Sequence, residues 1–297
     1  MMRFRPLFTY GVRNQDFALF TGDAISFAGT EYVCGRQSGV LPLHSKTGKN
    51  CVAMAIYAIS DLHLSSVNPK PMDIFGPAWE DHAAKARENW DETVTDDDIV
   101  LLPGDLSWAM TLSEARPDLD FVAERPGRKV LIRGNHDYWW QRRATSKIQR
   151  IVDRDLVFLQ GTSVLLGDVG ITGTRGWRVD WEMRSEGASS HVEPGALPEE
   201  DRSGRVLRRE LDYFERGLKS IPEAAGIKIA MLHFPPFDER LQPNEFAELL
   251  TRYSVDILVY GHVHLGLGGW LEGLVGGVRY HMVSADVVGF VPQLILP

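Results

Sequence analysis

Five short apolar runs, each followed directly by aspartate, asparagine or histidine side chains, constrain the fold of this 297-residue chain most strongly. The polar clusters are, in chain order, Asp61-Leu62-His63, Gly104-Asp105, Gly134-Asn135-His136-Asp137, His233 and Gly261-His262-Val263-His264. The apolar runs that precede them are residues 52–60, 99–103, 129–133, 227–232 and 255–260. In open α/β sheets, ligands gather where the carboxyl ends of strands meet the following loops. The pattern therefore predicts that these side chains converge at one edge of a layered α/β domain.

Oxygen and imidazole donors that converge in this way suit hard or borderline divalent cations. Each motif is weak by itself, because Asp61 could cap a turn and a lone His233 is commonly a hydrogen-bonded core residue. The pair His262 and His264 is stronger, since residues two apart on an extended segment point to the same side. Together the motifs predict a divalent metal site and metal-assisted phosphoester hydrolysis.

The first 53 residues differ from the rest of the chain. They mix Gly, Ser, Thr and scattered aromatic residues without sustained periodicity, which is typical of loop or weakly ordered chain. We expect residues 1–53 to be an appended extension and residues 54–297 to form the functional domain. The alternative is a short strand or arm that docks on that domain.

Charge and cysteine content narrow the function classes. The net charge of −8 argues against a protein that coats nucleic acid electrostatically. A small anionic substrate still fits, because bound cations make a site locally positive. Cys34 and Cys51 both precede the first motif, so thiolates supply no metal site, and a reducing cytoplasm is the expected location. No apolar run approaches the roughly 18 residues of a membrane span.

From residue 54 onwards, strands alternate with helical segments, as in layered α/β domains. Helices are predicted at residues 77–94, 118–124, 138–152, 205–218 and 243–253. Two or three short strands are expected between residues 156 and 174, and a hairpin over residues 270–284 around Gly276-Gly277. The polar stretch 181–204 is either a flap near the substrate entrance or a plain surface loop.

The order of the motifs resembles the calcineurin-like metallophosphoesterase superfamily, of the bacterial phosphohydrolase type. Its motifs run Asp-x-His, Gly-Asp, Gly-Asn-His-Asp/Glu, His and Gly-His-x-His, and the similarity spans residues 55–284. The resemblance implies a four-layer αββα sandwich of two mixed β-sheets flanked by helices. It also implies that Asp61, His63, Asp105 and His264 hold one metal, and that Asp105, Asn135, His233 and His262 hold a second.

The charges of the implied ligands suit a phosphate substrate. Only Asp61 and Asp105 are anionic, so two divalent cations would leave the site with a charge of about +2, or about +1 with a bridging hydroxide. Two such metals can bind the attacking and the leaving oxygen, and a bridging water would be the nucleophile. Manganese is the first expectation, with iron, zinc or cobalt as alternatives.

His136 is predicted to be a general acid or an electrostatic partner for the leaving oxygen, oriented by Asp137 or by another carboxylate. The alternative is that His136 only holds a metal ligand in place. For Asp137, the alternative is that it caps the helix that follows.

One departure from the family pattern concerns phosphate binding. Many relatives continue Gly-Asp-x-x-Asp-Arg, whereas Gly104-Asp105 is followed here by Leu106-Ser107-Trp108-Ala109. Arg133 and Arg175 are the replacements to consider, because a planar guanidinium can bind two phosphate oxygens at once. The alternative for Arg175 is an ion pair with a surface carboxylate.

Tryptophans lie in or near the motif loops, at positions 108, 139, 140, 177, 181 and 270. They form either a stacking platform for a flat group or part of the core. The expected substrate is a phosphomonoester or phosphodiester of a small metabolite or nucleotide. A nuclease and a non-catalytic binding scaffold are the alternatives, and the oligomeric state stays open.

Overall fold

The computed structural model describes residues 26–27, 30–31, 54–141, 143–152, 156–177, 204–238, 240–266 and 269–297. The chain divides into two compact units, residues 1–51 and 52–297. Within the first unit, strands β1 (Ser26–Phe27) and β2 (Thr30–Glu31) pair antiparallel. The predicted flap over residues 181–204 lies outside the described residues, except for its last residue.

The second unit contains two mixed β-sheets. Its described strands are β3 (Ile56–Ala58), β4 (Ile99–Pro103), β5 (Arg128–Ile132), β6 (Leu156–Leu159), β7 (Ser163–Leu166), β8 (Val169–Thr174), β9 (Ile227–Leu232), β10 (Ile257–Tyr260), β11 (Gly273–Val275), β12 (Val278–Met282) and β13 (Gln293–Leu296). The five-stranded sheet has the order β13-β3-β4-β5-β6, and the six-stranded sheet has the order β11-β12-β10-β9-β8-β7. Strands β7, β11 and β13 run antiparallel at the edges, whereas the inner pairs are parallel. The predicted mixed sheets are thereby confirmed.

Helices cover the outer faces of both sheets. They are α1 (His82–Thr93), α2 (Leu112–Ala123), α3 (Thr145–Ile151), α4 (Arg205–Ser220) and α5 (Glu245–Arg252). Trp90, Leu119 and Ile148 of the first three helices pack on the five-stranded sheet. Phe214 of α4 and Phe246 of α5 pack on the six-stranded sheet. A third cluster fills the space between the sheets, which confirms the αββα layers. Within the described residues, none of the helices has both the length and the apolar character needed to span a membrane.

The buried strands explain the continuous apolar runs in the sequence. In β4, Ile99 and Leu101 face the other sheet, while Val100 and Leu102 face the helices. Successive side chains of a strand point to opposite faces, so a strand buried on both faces needs apolar residues at every position.

Three predicted helices begin several residues away from their predicted starts. The helix predicted at 77–94 starts only at His82, because Pro77 opens a separate 3-10 turn, Pro77–Trp79. The helix predicted at 118–124 starts at Leu112, where the Thr111 side chain and Glu114 form a capping box. Pro117 therefore lies inside this helix instead of opening it.

The helix predicted at 138–152 is also shorter, since α3 begins at Thr145. Helices α4 and α5 lie within two residues of their predicted ends. The hairpin around Gly276-Gly277 and the three strands between residues 156 and 174 are confirmed. Strand β13, which closes the five-stranded sheet, was not predicted.

The carboxyl ends of β3, β4 and β5 in one sheet meet those of β9 and β10 in the other. The two sheets are joined there through Ser60, which follows β3. Its amide donates to the carbonyl of Val283 at 2.9 Å, and its carbonyl accepts from the amide of Ala285 at 3.0 Å. Loops from both sheets therefore converge on one edge of the sandwich.

Candidate metal centre

All seven predicted metal ligands lie in the loops at this edge. Asp61 and His63 follow β3, Asp105 follows β4, Asn135 follows β5, His233 follows β9, and His262 and His264 follow β10. One donor atom each from Asp61, His63 and His264 lies within 4.8 Å of the other two. The same holds for Asp61, Asp105 and His233.

Hydrogen bonds fix one oxygen of the buried Asp61 and leave the other free. Oδ2 accepts from the hydroxyl of Ser60 at 2.5 Å, from that of Ser284 at 3.1 Å and from the amide of His262 at 3.0 Å. Oδ1 is buried and has no hydrogen-bond partner among the described residues. A buried carboxylate oxygen without a partner is costly in the absence of a cation.

The nitrogens nearest to Asp61 Oδ1 fit a shared cation. His264 Nε2 lies 3.8 Å away and His63 Nε2 lies 3.9 Å away. These distances are too long for hydrogen bonds. They are short enough for atoms that each lie about 2.0–2.2 Å from the same ion. Burial lowers the pKa of His63 well below its usual range, so its imidazole is neutral and able to ligate.

His233 turns a lone pair towards two oxygen atoms. Its Nδ1 lies 3.0 Å from the carbonyl oxygen of Pro103, which only accepts, so the proton of a neutral ring lies on Nδ1. Its Nε2 then faces Asn135 Oδ1 at 2.6 Å and Asp105 Oδ2 at 3.4 Å. Burial acts to lower the pKa of His233, but the charge of Asp105 raises it to about 9. Either a proton or a cation is therefore needed between these three donors.

Asp105 lies between the two groups of ligands. Its Oδ2 is 3.8 Å from Nε2 of His63 in one group and 3.4 Å from Nε2 of His233 in the other. Its Oδ1 accepts from the amide of His136 at 2.8 Å. Burial acts to raise the pKa of Asp105, but the surrounding histidines hold it well below its usual range. The ionised carboxylate therefore has the position expected of a shared ligand.

His264 is oriented by Asp286, a residue that the sequence analysis missed. Asp286 Oδ1 lies 2.9 Å from Nδ1 of His264, and its Oδ2 accepts from the amide of Leu265 at 3.0 Å. Asp286 is 4% exposed, so the contact is shielded from water. A carboxylate on one ring nitrogen directs the other nitrogen towards a metal. Asp286 follows β12, which pairs in parallel with β10. The rule that ligands follow the carboxyl ends of parallel strands could therefore have identified it.

His262 completes the second group. Its ring centre lies 5.0 Å from that of His233. Burial, with a smaller contribution from His233, lowers the pKa of His262 well below its usual range. Its side chain is thus a neutral donor beside His233.

The backbone is strained at the ligand positions. Four of the eight described non-glycine residues with positive φ are predicted ligands, namely Asp61, His63, Asp105 and His262, with φ of 56°, 47°, 53° and 71°. Such conformations cluster at functional sites. A Cβ atom at Gly134 would overlap the carboxylate of Asp105, and one at Gly261 would overlap that of Asp61. Glycine is required at both positions because the ligands approach the backbone so closely.

His136 lies at the mouth of the centre. Its Nε2 is 4.0 Å from Asp105 Oδ2, and its side chain is 31% exposed, so a substrate can reach it. Its Nδ1 lies 3.2 Å from the hydroxyl of Tyr138, and its ring packs 4.1 Å from that of Trp108. Burial lowers the pKa of His136. The group beside Nδ1 is therefore a tyrosine hydroxyl and not the predicted carboxylate.

Asp137 connects two ligand loops. Its Oδ2 accepts from the amides of Gly134 at 2.8 Å and Asp105 at 2.9 Å, and its Oδ1 from the amides of Leu106 at 3.0 Å and Ser107 at 3.1 Å. Burial, and next the charge of Asp105, raise the pKa of Asp137 to about 6. The prediction that Asp137 orients His136 and the alternative that it caps the next helix are both wrong, because backbone amides of its own loop and of the Asp105 loop occupy its oxygens.

Arg175 pairs with a buried carboxylate. Its Nη2 lies 3.6 Å from Oε1 of Glu210. Glu210 is 2% exposed, and its Oε2 accepts from the Thr174 hydroxyl at 2.7 Å. Its guanidinium lies 4.5 Å from the ring centre of Trp177, and its carbonyl accepts from the amide of His233 at 3.1 Å. The alternative of a surface carboxylate is therefore wrong. Burial lowers the pKa of Arg175 to about 10, so it stays charged at neutral pH.

Arg133 lies in the same electrostatic environment. Burial lowers its pKa, while Asp137, Glu210 and Asp105 act in the opposite direction. The Nε atoms of Arg133 and Arg175 are buried and have no hydrogen-bond partner among the described residues. Arg209 Nε lies 3.8 Å from Glu210 Oε1. Arg175 and Arg209 thus lie beside one buried carboxylate, whose charge also acts on Arg133.

The tryptophans divide between core and site. Trp139 and Trp140 are buried in the core, whereas Trp108 stacks on His63 at 5.0 Å and 26°. Trp79, which the sequence analysis did not single out, also packs against His63 at 5.7 Å. These indoles hold an imidazole and do not form an open platform. Trp181 lies outside the described residues.

The profile of the calcineurin-like phosphoesterase family matches residues 54–266. The Gene 66 protein of Mycobacterium phage L5 is 37% identical over 78 residues, which cover 26% of this chain and 37% of that protein. The Gene 66 protein of Mycobacterium phage D29 is 39% identical over 83 residues, which cover 28% of this chain and 40% of that protein. The chain thus spans less than half the length of these curated relatives.

Two solved structures are similar over most of the chain. A phosphopantetheinyl hydrolase from Mycobacterium tuberculosis is 18% identical with a TM-score of 0.49, covering 82% of this chain and 96% of that one. A protein of unknown function from Aquifex aeolicus is 14% identical with a TM-score of 0.38, and the match covers 81% of this chain and 95% of that one. Both scores are below 0.5, so the fold assignment rests on the two sheets and on the family match.

Proposed function

Because the chain belongs to the calcineurin-like phosphoesterase family, and is thereby a metal-dependent phosphoester hydrolase, we propose that it cleaves phosphomonoesters or phosphodiesters of small metabolites or nucleotides at a dinuclear centre. The observation that carries this proposal is Asp105 Oδ2, which faces His63 of one ligand group and His233 of the other. The proposed ligands are Asp61, His63, Asp105 and His264 for one cation, and Asp105, Asn135, His233 and His262 for the other.

Two divalent cations would bind the phosphate and supply an acidified water for attack on phosphorus. Manganese is the first choice for this set of nitrogen and oxygen donors, with iron, zinc or cobalt as alternatives. The chain itself contributes the orientation of these donors. Pro103 fixes His233, Asp286 fixes His264, and Ser60 with Ser284 fixes Asp61.

His136 is the proposed partner of the leaving oxygen. A hydrogen bond donated by the Tyr138 hydroxyl to Nδ1 would place the proton of the neutral imidazole on Nε2. That nitrogen lies nearest to Asp105. A proton at this position can be donated to the departing alkoxide.

Arg175 and Arg133 are the proposed phosphate-binding cations. Glu210 and the ring of Trp177 hold the Arg175 guanidinium in place, which reduces the entropy lost when it binds phosphate oxygens. These two arginines replace the Asp-Arg pair that Leu106-Ser107-Trp108-Ala109 does not provide.

Asp105→Asn tests the proposed function. After loading with manganese, the wild-type protein is expected to hydrolyse bis(p-nitrophenyl) phosphate, and the variant is expected to lose this activity together with bound metal. Asp212→Asn, at an exposed position of α4, is the matched control. Circular dichroism checks the fold, and an Asp105→Asn variant that folds and stays active would contradict the proposal.

His136→Ala separates an acid role from a ligand-holding role. If Nε2 protonates the leaving oxygen, the loss in kcat should be about 10²- to 10⁴-fold for an alkyl ester and much smaller for a p-nitrophenyl ester, whose leaving group needs no proton. An equal loss in kcat for both esters would show that His136 does not act as the general acid.

A nuclease remains the second candidate, and a non-catalytic scaffold the third. The clustering of candidate metal donors at one edge supports an enzyme over a scaffold. A panel of phosphomonoesters, phosphodiesters and a short oligonucleotide, assayed after manganese loading, distinguishes all three.

A further inference from the structure

A groove of about 790 Å³ lies between α3, the end of β6 and α4. We call it the α3–α4 groove and define it by Arg143, Arg150, Gln160, Tyr213 and Arg216 in its wall. The volume is within the range of roughly 300–1,000 Å³ that is common for small-molecule sites.

The charge of this groove differs from that of the whole protein. Three arginines line it, and none of its described lining residues is acidic, although the chain has a net charge of −8. Arg143 and Arg150 are exposed, so solvent-borne anions can reach them. A local concentration of positive charge in an acidic protein attracts anionic ligands specifically to that surface.

The groove adjoins the proposed metal centre along the five-stranded sheet. Strands β5 and β6 are parallel neighbours with Ile132 opposite Leu159. Arg133, which precedes the Asn135 loop, and Gln160, in the groove wall, therefore follow adjacent strand ends at the same edge.

Side-chain hydrogen bonds extend this connection. The Trp140 indole donates to the Thr145 hydroxyl at 2.9 Å, which in turn donates to Gln160 Oε1 at 2.8 Å. The segment after His136 is thereby tied to the groove wall.

Helix α4 connects the arginines of the two regions. Arg209, Tyr213 and Arg216 are spaced four and three residues apart, which places them on one face of the helix. Arg209 lies near Glu210 and the phosphate-binding Arg175, and Arg216 lines the groove. One face of α4 therefore carries an arginine near the proposed centre and another in the groove.

Arg216 is held in a defined position. Its Nε donates to the carbonyl of Gly161 at 3.0 Å, its Nη2 to that of Gln160 at 3.4 Å, and its guanidinium lies 4.9 Å from the ring centre of Tyr213. A guanidinium fixed in this way loses little entropy on binding an anion.

We propose that the α3–α4 groove binds a second phosphate group of the substrate while the first phosphate is hydrolysed at the metal centre. The substrate class is thus a phosphoester that carries a further phosphate, either a small bisphosphorylated nucleotide or a short single-stranded oligonucleotide. This inference rests on the proposed function for the position of the first phosphate.

Two substrates that differ in one phosphate test this specificity. They are the p-nitrophenyl ester of thymidine 5′-phosphate and the same ester with a 3′-phosphate. The wild-type KM is expected to be about tenfold lower for the second ester, because its 3′-phosphate adds a charge-assisted hydrogen bond to the groove. Arg143→Gln combined with Arg150→Gln should bring the ratio of the two KM values towards one.

Lys147→Gln combined with Arg208→Gln is the matched control, because it removes two exposed charges from α3 and α4 outside the groove. This control should keep the wild-type ratio. A wild-type ratio near one, or an equal change in both double variants, would overturn the inference.

Binding without hydrolysis separates this inference from the proposed function. Calorimetry with adenosine 3′,5′-bisphosphate is expected to show affinity about tenfold lower in the Arg143→Gln, Arg150→Gln variant than in wild type. This result would support the groove even if no ester were hydrolysed, whereas equal affinity would contradict the groove even in an active enzyme. The same titration with a thymidine pentanucleotide shows whether an oligonucleotide or a small bisphosphorylated nucleotide binds more tightly.

Discussion

At the scale of single residues, hydrogen bonds between neighbouring loops hold the backbone of the proposed centre. Asp61, His63, Asp105 and His262 have left-handed backbone conformations, each of which costs roughly 1–3 kcal/mol in a non-glycine residue. Hydrogen bonds from neighbouring loops hold them there, as when the His63 amide donates to the Asp105 carbonyl at 3.0 Å. Contacts within the fold thus contribute to the positions of these side chains.

Asp286→Asn should weaken metal binding. The substitution removes the charge beside His264 Nδ1 and places an amide where the Leu265 amide now donates. Loss of such a contact typically lowers metal affinity about 10- to 100-fold. Manganese titrations of the variant and of the Asp212→Asn control measure the effect, and an unchanged dissociation constant would show that Asp286 does not orient the ligand.

The sequence predicted which residues gather at this edge of the sandwich, but not all of their contacts. The ligands were recognisable because each follows an apolar strand at a known spacing. The role of Asp137 was not, since four amides from two loops point at its carboxylate only after the chain has folded. Tyr138 beside His136 was missed for the same reason.

At the scale of elements, α2 holds the metal-site loops through Asp118. This side chain is buried on the helix face, accepts from the amide of Ser66 at 3.0 Å and is hydrogen-bonded to the hydroxyl of Ser107. Ser66 follows the His63 loop, and Ser107 follows Asp105. One carboxylate on a helix therefore connects both loops to the outer layer.

Asp118→Ala should destabilise the domain by about 1–3 kcal/mol, because it leaves the buried Ser107 hydroxyl without its acceptor. Asp120→Ala on the same helix is the control, since Asp120 forms only an exposed pair with Arg116, whose loss costs less than about 1 kcal/mol. Urea unfolding measures both. Equal effects of the two substitutions would show that the tether does not stabilise the fold.

Helix starts were the least predictable part of the fold. The periodicity of α4 located it to within two residues, because its apolar stripe is regular. The start of α2 at Thr111 depends on a capping box, and proline at position 117 misleadingly suggested a later start. Strand β13 was missed because it pairs with β3 across more than 200 residues of sequence.

At the scale of the whole molecule, the buried core that the described residues form lies in the second unit. The buried residues of its three described clusters all lie between Ile56 and Ile295. The layered architecture could be predicted because strands and helices alternate along this part of the chain. The separation of residues 1–53 from the domain stays a proposal.

A protein that begins at Met54 should therefore fold and hydrolyse phosphoesters as the full chain does. Circular dichroism, urea unfolding and bis(p-nitrophenyl) phosphate hydrolysis, each compared with the full chain, check this expectation. A loss of cooperative unfolding in the shortened protein would show that the first 53 residues contribute to the core.

The junction at Ser60 has a mechanical consequence for the sandwich. Loops from the five-stranded sheet provide Asp61, His63, Asp105 and Asn135, and loops from the six-stranded sheet provide the remaining ligands. Any sliding of one sheet over the other would separate the donors that are proposed to share an ion. The interface between the sheets lies far below the surface that meets the substrate. Its rigidity thus determines how constant the distances between the proposed ligands remain.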